Sequence, residues 1–251
     1  MAENGALKRI MIRVSYDGTD HHGWQSAENV RTVAGDIDRA LKMLTGEDIR
    51  VSGASRTDAG VHAKGNLAVF DTASTIPPER FSYALNTYLL KDIRITESRE
   101  VDPDFHPRSA KTVKTYVYRI QTGEFPDPLR ERYTWHIDYS LDIDAMKEAA
   151  SFLTGEHDFR SFCSVHTDVK TTVREILSAD VGKDDDEIII TVKGYGFLYN
   201  MVRIIAGTLV EVGRGGKKPG DIPRILEGRD RTLAGPTAPA KGLTLMGIEI
   251  L

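Results

Sequence analysis

The stretch RIMIRVSY, residues 9–16, alternates apolar and polar side chains, with Ile10, Ile12, Val14 and Tyr16 as the apolar set. Successive side chains of a strand point to opposite faces of a sheet, so this alternation places the apolar set on one face. The pattern therefore predicts an opening strand that is buried on one side.

The segments after this strand predict a β-α-β-β-α-β order for the first half of the chain. Val33, Ile37 and Leu41 recur at helical spacing, and Gly46 is typical of the position just past a helix end. The remaining elements are expected as strands at 49–55 and 64–71, a helix opened by Pro77-Pro78, and a strand at 93–101.

The second half predicts the same order with one added strand. Its elements are expected as strands at 112–120 and 133–137, a helix at 143–153, a hairpin of 172–181 and 187–192, helices at 198–212 and 222–226, and a strand at 243–250. Strands and helices in this order are typical of α+β proteins. We therefore predict two tandem ferredoxin-like (RRM-like) units, divided as residues 1–108 and 109–251.

The composition indicates an ordinary globular protein. Of the 251 residues, 40% are hydrophobic and 28% charged, which argues against a disordered or membrane-embedded chain. No apolar run approaches the roughly 20 residues of a bilayer-spanning helix, and the N-terminal stretch lacks a signal-type apolar core. The single cysteine, Cys163, excludes a disulfide framework and a Cys-cluster metal site. These features predict a cytoplasmic protein that does not enter a membrane.

The charge distribution leaves two interpretations open. The net charge of -4 argues mildly against a surface that binds nucleic acid throughout. Residues 105–122, however, include four basic and no acidic side chains, and residues 203–231 include seven basic against four acidic ones. Two basic segments on an acidic chain could hold a polyanion such as RNA, or they could be scattered charges in solvent.

A compact charged group, Arg56-Thr57-Asp58-Ala59-Gly60, stands between the predicted strands at 49–55 and 64–71. One interpretation is a turn that Asp58 caps and Gly60 closes, with Arg56 in solvent. The other makes Asp58 a reactive carboxylate. The residues by themselves leave both open.

The stretch RTDAGVH, residues 56–62, resembles the catalytic loop of the TruA family of tRNA pseudouridine synthases. Further matches follow in family order: Tyr16-Asp17-Gly18, Gly23-Trp24-Gln25, Phe105-His106 with Arg108, Tyr116 with Tyr118, His157-Asp158-Phe159 with Ser161-Phe162, and Met201-Val202-Arg203. Two positions depart from the pattern: Ser55 stands where glycine is frequent, and Leu90-Lys91 replaces a usual Leu-Pro. The resemblance implies the pseudouridine synthase fold, with a large mixed, mainly antiparallel sheet and flanking helices.

The same resemblance implies an isomerase that converts uridine to pseudouridine without a cofactor. The base is detached from the sugar, turned over and rejoined through C5, with no redox change and no net water, so a carboxylate suffices. Asp58 is the implied carboxylate, and it could add to the base, add to the sugar carbon or accept a proton. The implied substrate is the anticodon arm of tRNA, at uridines 38, 39 and 40, and the implied assembly is a homodimer.

Three further residues are implied as catalytic. Arg203 interrupts an otherwise apolar helix, where an unpaired guanidinium would be costly, and the resemblance implies that it pairs with Asp58. The alternative is an arginine that reaches past the core into solvent. Tyr116 is implied to stack on the target uracil, and Arg56 to hold the flipped nucleotide or its phosphate.

Several basic residues are predicted to bind the tRNA. Lys114 shares one strand face with Tyr116 and Tyr118, and Tyr118 is expected to pack in the core. The other predicted contacts come from the two basic segments: Arg108, Lys111, Lys217 and Lys218.

Three other motifs have simpler interpretations. The stretch GRGGKK, residues 213–218, follows a predicted helix and lacks the spacing of a phosphate loop, so it is expected as a helix exit. Asp184-Asp185-Asp186 predicts an exposed hairpin turn. His21, His22 and His62 lack helical ligand spacing, and no metal site is predicted.

A tandem RNA-binding module without catalysis is the main alternative function. Lys193-Gly194-Tyr195-Gly196-Phe197 matches the first five positions of the aromatic strand motif of RNA-recognition domains. The match then fails, because Leu198 and Asn200 stand where valine and an aromatic residue belong. Another uridine-modifying enzyme on the same fold is a third possibility.

Overall fold

The computed structural model describes residues 7–164 and 169–251. Two compact units are distinguished: unit 1 comprises Met1–Lys111 and Leu245–Leu251, and unit 2 comprises Thr112–Thr244. The prediction divided the chain after residue 108 and left the final strand in the C-terminal part. The final residues group instead with unit 1, where the amide of Leu251 donates to the carbonyl of Lys111 at 3.0 Å. The division into two functional domains stays a prediction.

Unit 1 follows the predicted β-α-β-β-α-β order. Its elements are β1 (Lys8–Tyr16), α1 (Val33–Thr45), β2 (Ser52–Gly53), β3 (His62–Thr72), a 3-10 turn (Pro78–Arg80) that continues into α2 (Phe81–Leu85), and β4 (Ile93–Val101). Strand β1 pairs antiparallel with both β3 and β4, so that Ile12 lies opposite Ala68 on one side and Ser98 on the other. The apolar set predicted for β1 is buried.

Helix α1 begins and ends with side-chain and backbone caps that the sequence indicates. The hydroxyl of Thr32 accepts a hydrogen bond from the amide of Gly35, which satisfies one of the free amides of the first turn. Gly46 adopts a left-handed conformation with φ 77°, and its amide donates to the carbonyl of Lys42. The predicted helix end at Gly46 is confirmed.

The strand predicted at 49–55 is much shorter in the structure, because only Ser52–Gly53 pair with β3. The amide of Val51 donates to the carboxylate of Asp38 at 2.8 Å, so a side chain takes the place of a strand partner there. This early end of β2 leaves residues 54–61 as a loop.

Unit 2 is built around an antiparallel set of strands. Its elements are β5 (Thr112–Thr122), β6 (Trp135–Ile137), α3 (Ile143–Ser151), β7 (Gly155–Asp158), β8 (Val173–Asp184), β9 (Glu187–Gly194), α4 (Met201–Gly213) and α5 (Asp221–Gly228), and the last strand, β10 (Leu243–Ile250), leads from unit 2 into unit 1. The hydrogen-bonded order is β5-β9-β8-β7, with β6 parallel to β5. Strand β7 was not predicted, since four residues show no alternation of apolar side chains.

The predicted fold class is confirmed: the chain is α+β, with mixed, mainly antiparallel strand pairing and flanking helices. Across the described ranges, no helix has the length and apolar character needed to cross a bilayer.

Candidate active site

Asp58 lies in the loop that joins β2 to β3. Its side chain is half-buried, whereas the preceding Thr57 is buried and Arg56 is exposed. The amide of Val61 donates to the carbonyl of Asp58 at 3.1 Å, and Gly60 has a left-handed φ of 77°. The chain therefore turns sharply just after Asp58, which leaves Arg56 and part of Asp58 accessible.

The residues after β1 hold the backbone of this loop. The amide of Trp24 donates to the carbonyl of Thr57 at 3.0 Å, and the amide of Gly60 donates to the carbonyl of His21 at 3.2 Å. Gly23 has φ 87°, and a Cβ there would lie 2.7 Å from the carbonyl oxygen of Thr57. Only glycine permits this approach, so Gly23 is required by its packing against the loop.

Three side chains fix the loop from inside unit 1. The hydroxyl groups of Tyr16 and Thr57 are hydrogen-bonded at 2.7 Å. The side-chain amide of Asn66, which is fully buried, donates to the carbonyl of Ser55 at 3.0 Å and to the hydroxyl of Tyr16 at 3.4 Å. Buried hydrogen bonds of this kind hold a backbone in one arrangement, because breaking them leaves polar groups unsatisfied.

The two histidines near the loop are buried and bound to nearby groups. The amide of Gly18 donates to Nδ1 of His62 at 3.0 Å, and Nδ1 of His21 lies 3.1 Å from the carbonyl oxygen of Asp17. Both side chains therefore help to hold the residues that follow β1.

An ion-pair network connects Arg31 to a carboxylate of α1 and to one just before β4. Arg31 bridges Asp36 and Asp92 with nitrogen-to-oxygen distances of 2.7 Å to each carboxylate. Burial would raise the pKa of Asp36, but the nearby His21 ring, with Nε2 3.5 Å from the carboxylate, the hydrogen bond from Arg31 and the charges of Arg31 and Arg39 together lower it. Asp36 is thus held ionised where helix α1 begins.

Arg56 and Arg108 line one cavity of unit 1, together with Arg50. Both predicted tRNA-binding arginines are exposed. Positions 52 residues apart in the chain are therefore brought to the same pocket by the fold of unit 1.

In unit 2, Arg203 lies in the first turn of α4 and is half-buried. Its Nε donates to the carbonyl of Ala238 at 2.8 Å, and its Nη1 donates to Oδ1 of Asn200 at 2.8 Å. Asn200 has a left-handed φ of 60°, which asparagine tolerates better than most residues. This conformation explains why the helix begins at Met201 and not at the predicted position 198.

Tyr116 and Tyr118 lie on β5 in different surroundings. Tyr116 is 7% exposed, and its ring meets Phe197 edge-to-face at 5.1 Å. Tyr118 is fully buried, and its hydroxyl donates to the carbonyl of Pro239 at 2.8 Å. Burial raises the pKa of Tyr118 far above its usual range, against the opposing charge of Arg203. The predicted core role of Tyr118 is confirmed.

The predicted lysines lie at several places. Lys217 and Lys218 line one open cavity of about 570 Å³ in unit 2, beside the exposed Arg214. Lys114 is half-buried on β5, and Lys111 is exposed at the end of the first stretch of unit 1.

Three other sequence motifs, at residues 184–186, 193–197 and 213–218, lie at the ends of strands or helices. Helix α4 ends at Gly213, so residues 213–218 form a helix exit, as predicted. Asp185, with φ 51°, lies in the turn between β8 and β9, as predicted. Strand β9 ends at Gly194, so Tyr195 and Phe197 lie beyond the strand, where the aromatic motif of an RNA-recognition domain would not function.

Comparison with known proteins identifies the family. The family model described as tRNA pseudouridine synthase matches residues 12–108 and 149–249. The chain belongs to this family. It is therefore an enzyme, an isomerase that converts uridine to pseudouridine in tRNA.

Relatives match the chain over nearly its whole length. A protein of Brevibacillus brevis named tRNA pseudouridine synthase A is 50% identical over 95% of this chain and 98% of its own. One of the same name from Acetivibrio thermocellus is 48% identical over 96% of this chain and 99% of its own. The match to a solved structure described as a Cbf5-Nop10-Gar1 complex covers 80% of this chain and 54% of that chain, at 11% identity and a TM-score of 0.35.

The family match covers the candidate residues unevenly. Asp58, Arg56 and Arg203 lie inside the matched residues of the tRNA pseudouridine synthase model, whereas Tyr116 and Lys114 lie in the unmatched residues 109–148. The match of the family model therefore does not bear on Tyr116, and a stacking role for this residue stays a prediction.

Two residues that hold site groups were missed by sequence reasoning. Asn66 binds the carbonyl of Ser55 at the start of the Asp58 loop. In the sequence, the only indication of this role is an amide side chain within the largely apolar strand β3. Asn200 binds Arg203, and its signal is a polar residue just before an apolar helix. Neither signal is specific without the structure, because many surface residues look the same in sequence.

Proposed function

We propose that this chain forms pseudouridine at positions 38, 39 and 40 in the anticodon stem-loop of tRNA, with the Asp58 carboxylate as the reacting group and without a cofactor. The supporting observation is the loop of residues 54–61, in a member of the tRNA pseudouridine synthase family. The loop is hydrogen-bonded to three neighbouring segments, through its backbone and through the hydroxyl of Thr57, while Asp58 itself stays partly accessible. A loop held in this way can present one carboxylate in one orientation.

The reaction requires little more than such a carboxylate. The bond between N1 of uracil and C1′ of ribose is broken, the base turns over, and a bond forms between C5 and C1′. The proton on C5 is lost and N1 gains one, so atoms and charge balance without water or a redox partner. Asp58 can add to C1′, add to the base or take the proton, and each role requires it to be ionised.

Arg203, Tyr116 and Arg56 are proposed to assist this step. Arg203 would keep Asp58 ionised through its positive charge, and the helix-end asparagine that holds Arg203 supports such an orienting role. Tyr116 would stack on the uracil, which requires a movement on binding because only 7% of its surface is exposed. Arg56 would hold the flipped nucleotide or its phosphate.

The tRNA backbone is proposed to contact Arg108, Lys111, Lys114, Lys217 and Lys218. Four of these five side chains are exposed or line an open cavity, which suits phosphate contacts. We further propose a homodimer that acts in the cytoplasm and not at a membrane, as the resemblance to this family implies.

One assay tests the proposal directly. Unmodified tRNA is incubated with the pure protein, treated with carbodiimide and mapped for pseudouridine by primer extension. We expect carbodiimide label at positions 38, 39 and 40, and an unchanged mass of the tRNA when it is measured before the carbodiimide treatment. Label at other positions would reject the anticodon assignment, and a changed mass would indicate a different uridine modification. Light scattering of the pure protein without tRNA measures the assembly, for which a dimer mass is expected.

A further inference from the structure

Unit 1 contains a cavity of about 210 Å³ that brings Arg56 and Arg108, two of the proposed RNA-binding residues, together with Arg50, to which no role has been given above. Its polar lining comes from residues 25–56 and from one residue much later in the chain: Gln25, Ser26, Asp38, Arg50, Ser52, Arg56 and Arg108. Gly53 and the ring of Trp24 close the remaining wall, and a Cβ on Gly53 would lie 2.4 Å from that ring. The cavity is therefore a defined concave site beside the loop that carries Asp58.

The charges around this cavity are predominantly positive. Three guanidinium groups face one carboxylate, that of Asp38. Asp38 already accepts hydrogen bonds from the amide of Val51 at 2.8 Å and the hydroxyl of Ser26 at 3.3 Å. Arg50 reaches Asp38 only at 4.0 Å, with 76% of its side chain exposed.

Arg56 and Arg108 have no ion pair with any residue in the described ranges. Unpaired guanidinium groups that converge on one concave site are the usual arrangement for binding phosphate, because each offers a planar set of donors. The nearby start of α1 does not supply ligands, since the amides of Ala34 and Gly35 already bond to Trp24 and Thr32.

We propose that this cavity binds one backbone phosphate of the RNA substrate, next to the target uridine, through Arg50, Arg56 and Arg108. The inference rests on the proposed function, which supplies RNA as the ligand. Arg56 is two positions before Asp58, so a phosphate held here belongs to a nucleotide at or adjoining the one that reacts. A free phosphate ion has the same chemistry and is the other possible source of the ligand.

A substitution of Asp38 tests this proposal, because the proposal predicts that the substitution increases the affinity for tRNA. Its carboxylate repels a phosphate in the same cavity, but the amide of asparagine can still accept the hydrogen bond from Val51. Asp38→Asn should therefore bind tRNA about two- to fivefold more tightly, since one opposing charge is removed. If Asp38 only supported the fold, Asp38→Asn would instead bind tRNA more weakly.

The experiment measures tRNA affinity against salt concentration for the full-length protein and its variants. Arg50→Ala and Arg108→Ala should each weaken binding about fivefold and lower the log-log salt slope by roughly 0.7 to 0.9, the value for one phosphate. Because both arginines contact the same phosphate, the double variant should lower the slope by no more than either single one. Arg99→Ala, an exposed arginine on β4 paired with Glu97, is the matched control and should behave as wild type.

Three outcomes would overturn the proposal. The first is an Arg50→Ala variant that matches Arg99→Ala. The second is an Asp38→Asn variant that binds tRNA more weakly while its thermal unfolding is unchanged. The third is stabilisation by inorganic phosphate that depends on Arg50 while tRNA affinity does not, which would assign the cavity to a free anion.

Failure of the proposed function is recognised separately. Turnover at saturating tRNA is measured for the wild-type protein and for the control Arg99→Ala, and both should form pseudouridine at the same rate. A protein that binds tRNA through Arg50 but makes no pseudouridine would refute the proposed function and leave the phosphate subsite supported.

Discussion

The Asp58 loop of unit 1 and the first turn of α4 in unit 2 each present a charged side chain, but the first is an irregular loop and the second is part of a helix. The loop has little structure of its own and depends on Trp24, Gly23, Tyr16 and Asn66, which lie elsewhere in the sequence. Arg203 is held partly by a local contact, Asn200 three residues before it, and partly by the carbonyl of Ala238, which lies 35 residues later in the chain.

This difference predicts whether a mutation in each region affects turnover or stability. A loop positioned by distant residues can lose its geometry without loss of the fold, because each tie is a single hydrogen bond. A side chain held on a helix by two hydrogen bonds is part of the packing of that helix. We therefore expect changes near the loop to reduce turnover more than stability, and changes at Arg203 to reduce both.

The largest effect is expected for Asp58→Asn. The amide has nearly the same shape as the carboxylate but is neither a nucleophile nor a base, so turnover should fall by about a thousandfold or more. Thermal unfolding and tRNA affinity should stay close to wild type. Single-turnover pseudouridine formation measures the loss, and activity above a thousandth of wild type would reject Asp58 as the reacting group.

Arg203→Met should come next, because it removes two charged hydrogen bonds and a cation. The free energy of unfolding should fall by about 2 to 3 kcal/mol, and turnover should fall by about a hundredfold. Arg231→Met is the matched control, since Arg231 is also half-buried and binds Gly235 and Thr237 in the same unit. Equal losses of turnover in both variants would make the role of Arg203 purely structural.

The pairing implied between Asp58 and Arg203 has its own test. If the two charges interact, Asp58→Asn combined with Arg203→Met should be less destabilising than the sum of the single changes. Residual activity of Arg203→Met should also shift to higher pH, because loss of the cation raises the pKa of the carboxylate. Simple additivity with an unmoved pH profile would separate Arg203 from Asp58.

A smaller effect is expected at the ties of the loop. Thr57→Val removes the hydroxyl bonded to Tyr16 and should lower turnover about tenfold with little change in KM, because the carboxylate is less well positioned. Stability should fall by about 1 kcal/mol. Thr72→Val on β3 is the matched control, since Thr72 is itself buried and loses a part-buried hydrogen bond to Glu47 of similar length. If both variants keep full turnover, the Tyr16–Thr57 bond does not position Asp58.

The smallest effect is expected for metal removal. An isomerisation by a carboxylate needs no metal, so prolonged EDTA treatment should leave turnover within about twofold of the untreated enzyme. The tRNA is folded beforehand, so that magnesium for RNA folding does not confuse the result. Activity that is lost and returns only with a stoichiometric metal would contradict a cofactor-free reaction.

Local sequence patterns were sufficient to predict the α+β class, the order of the elements apart from β7, and the end of α1 at Gly46. These features depend on periodicity and on caps within a few residues, and such signals are local. The motifs around residues 16–24 and 56–62 likewise pointed to the family, because a run of identical residues needs no structure to be recognised.

The contacts between those motifs became apparent only in the tertiary structure. Gly23 is required because the carbonyl of Thr57 approaches it, and Asn66 binds Ser55 from the next strand. The cavity that joins Arg50, Arg56 and Arg108 also exists only in the folded unit. Such contacts join residues tens of positions apart, and the packing of strands and loops determines which of them meet, so no local pattern in the sequence reveals them.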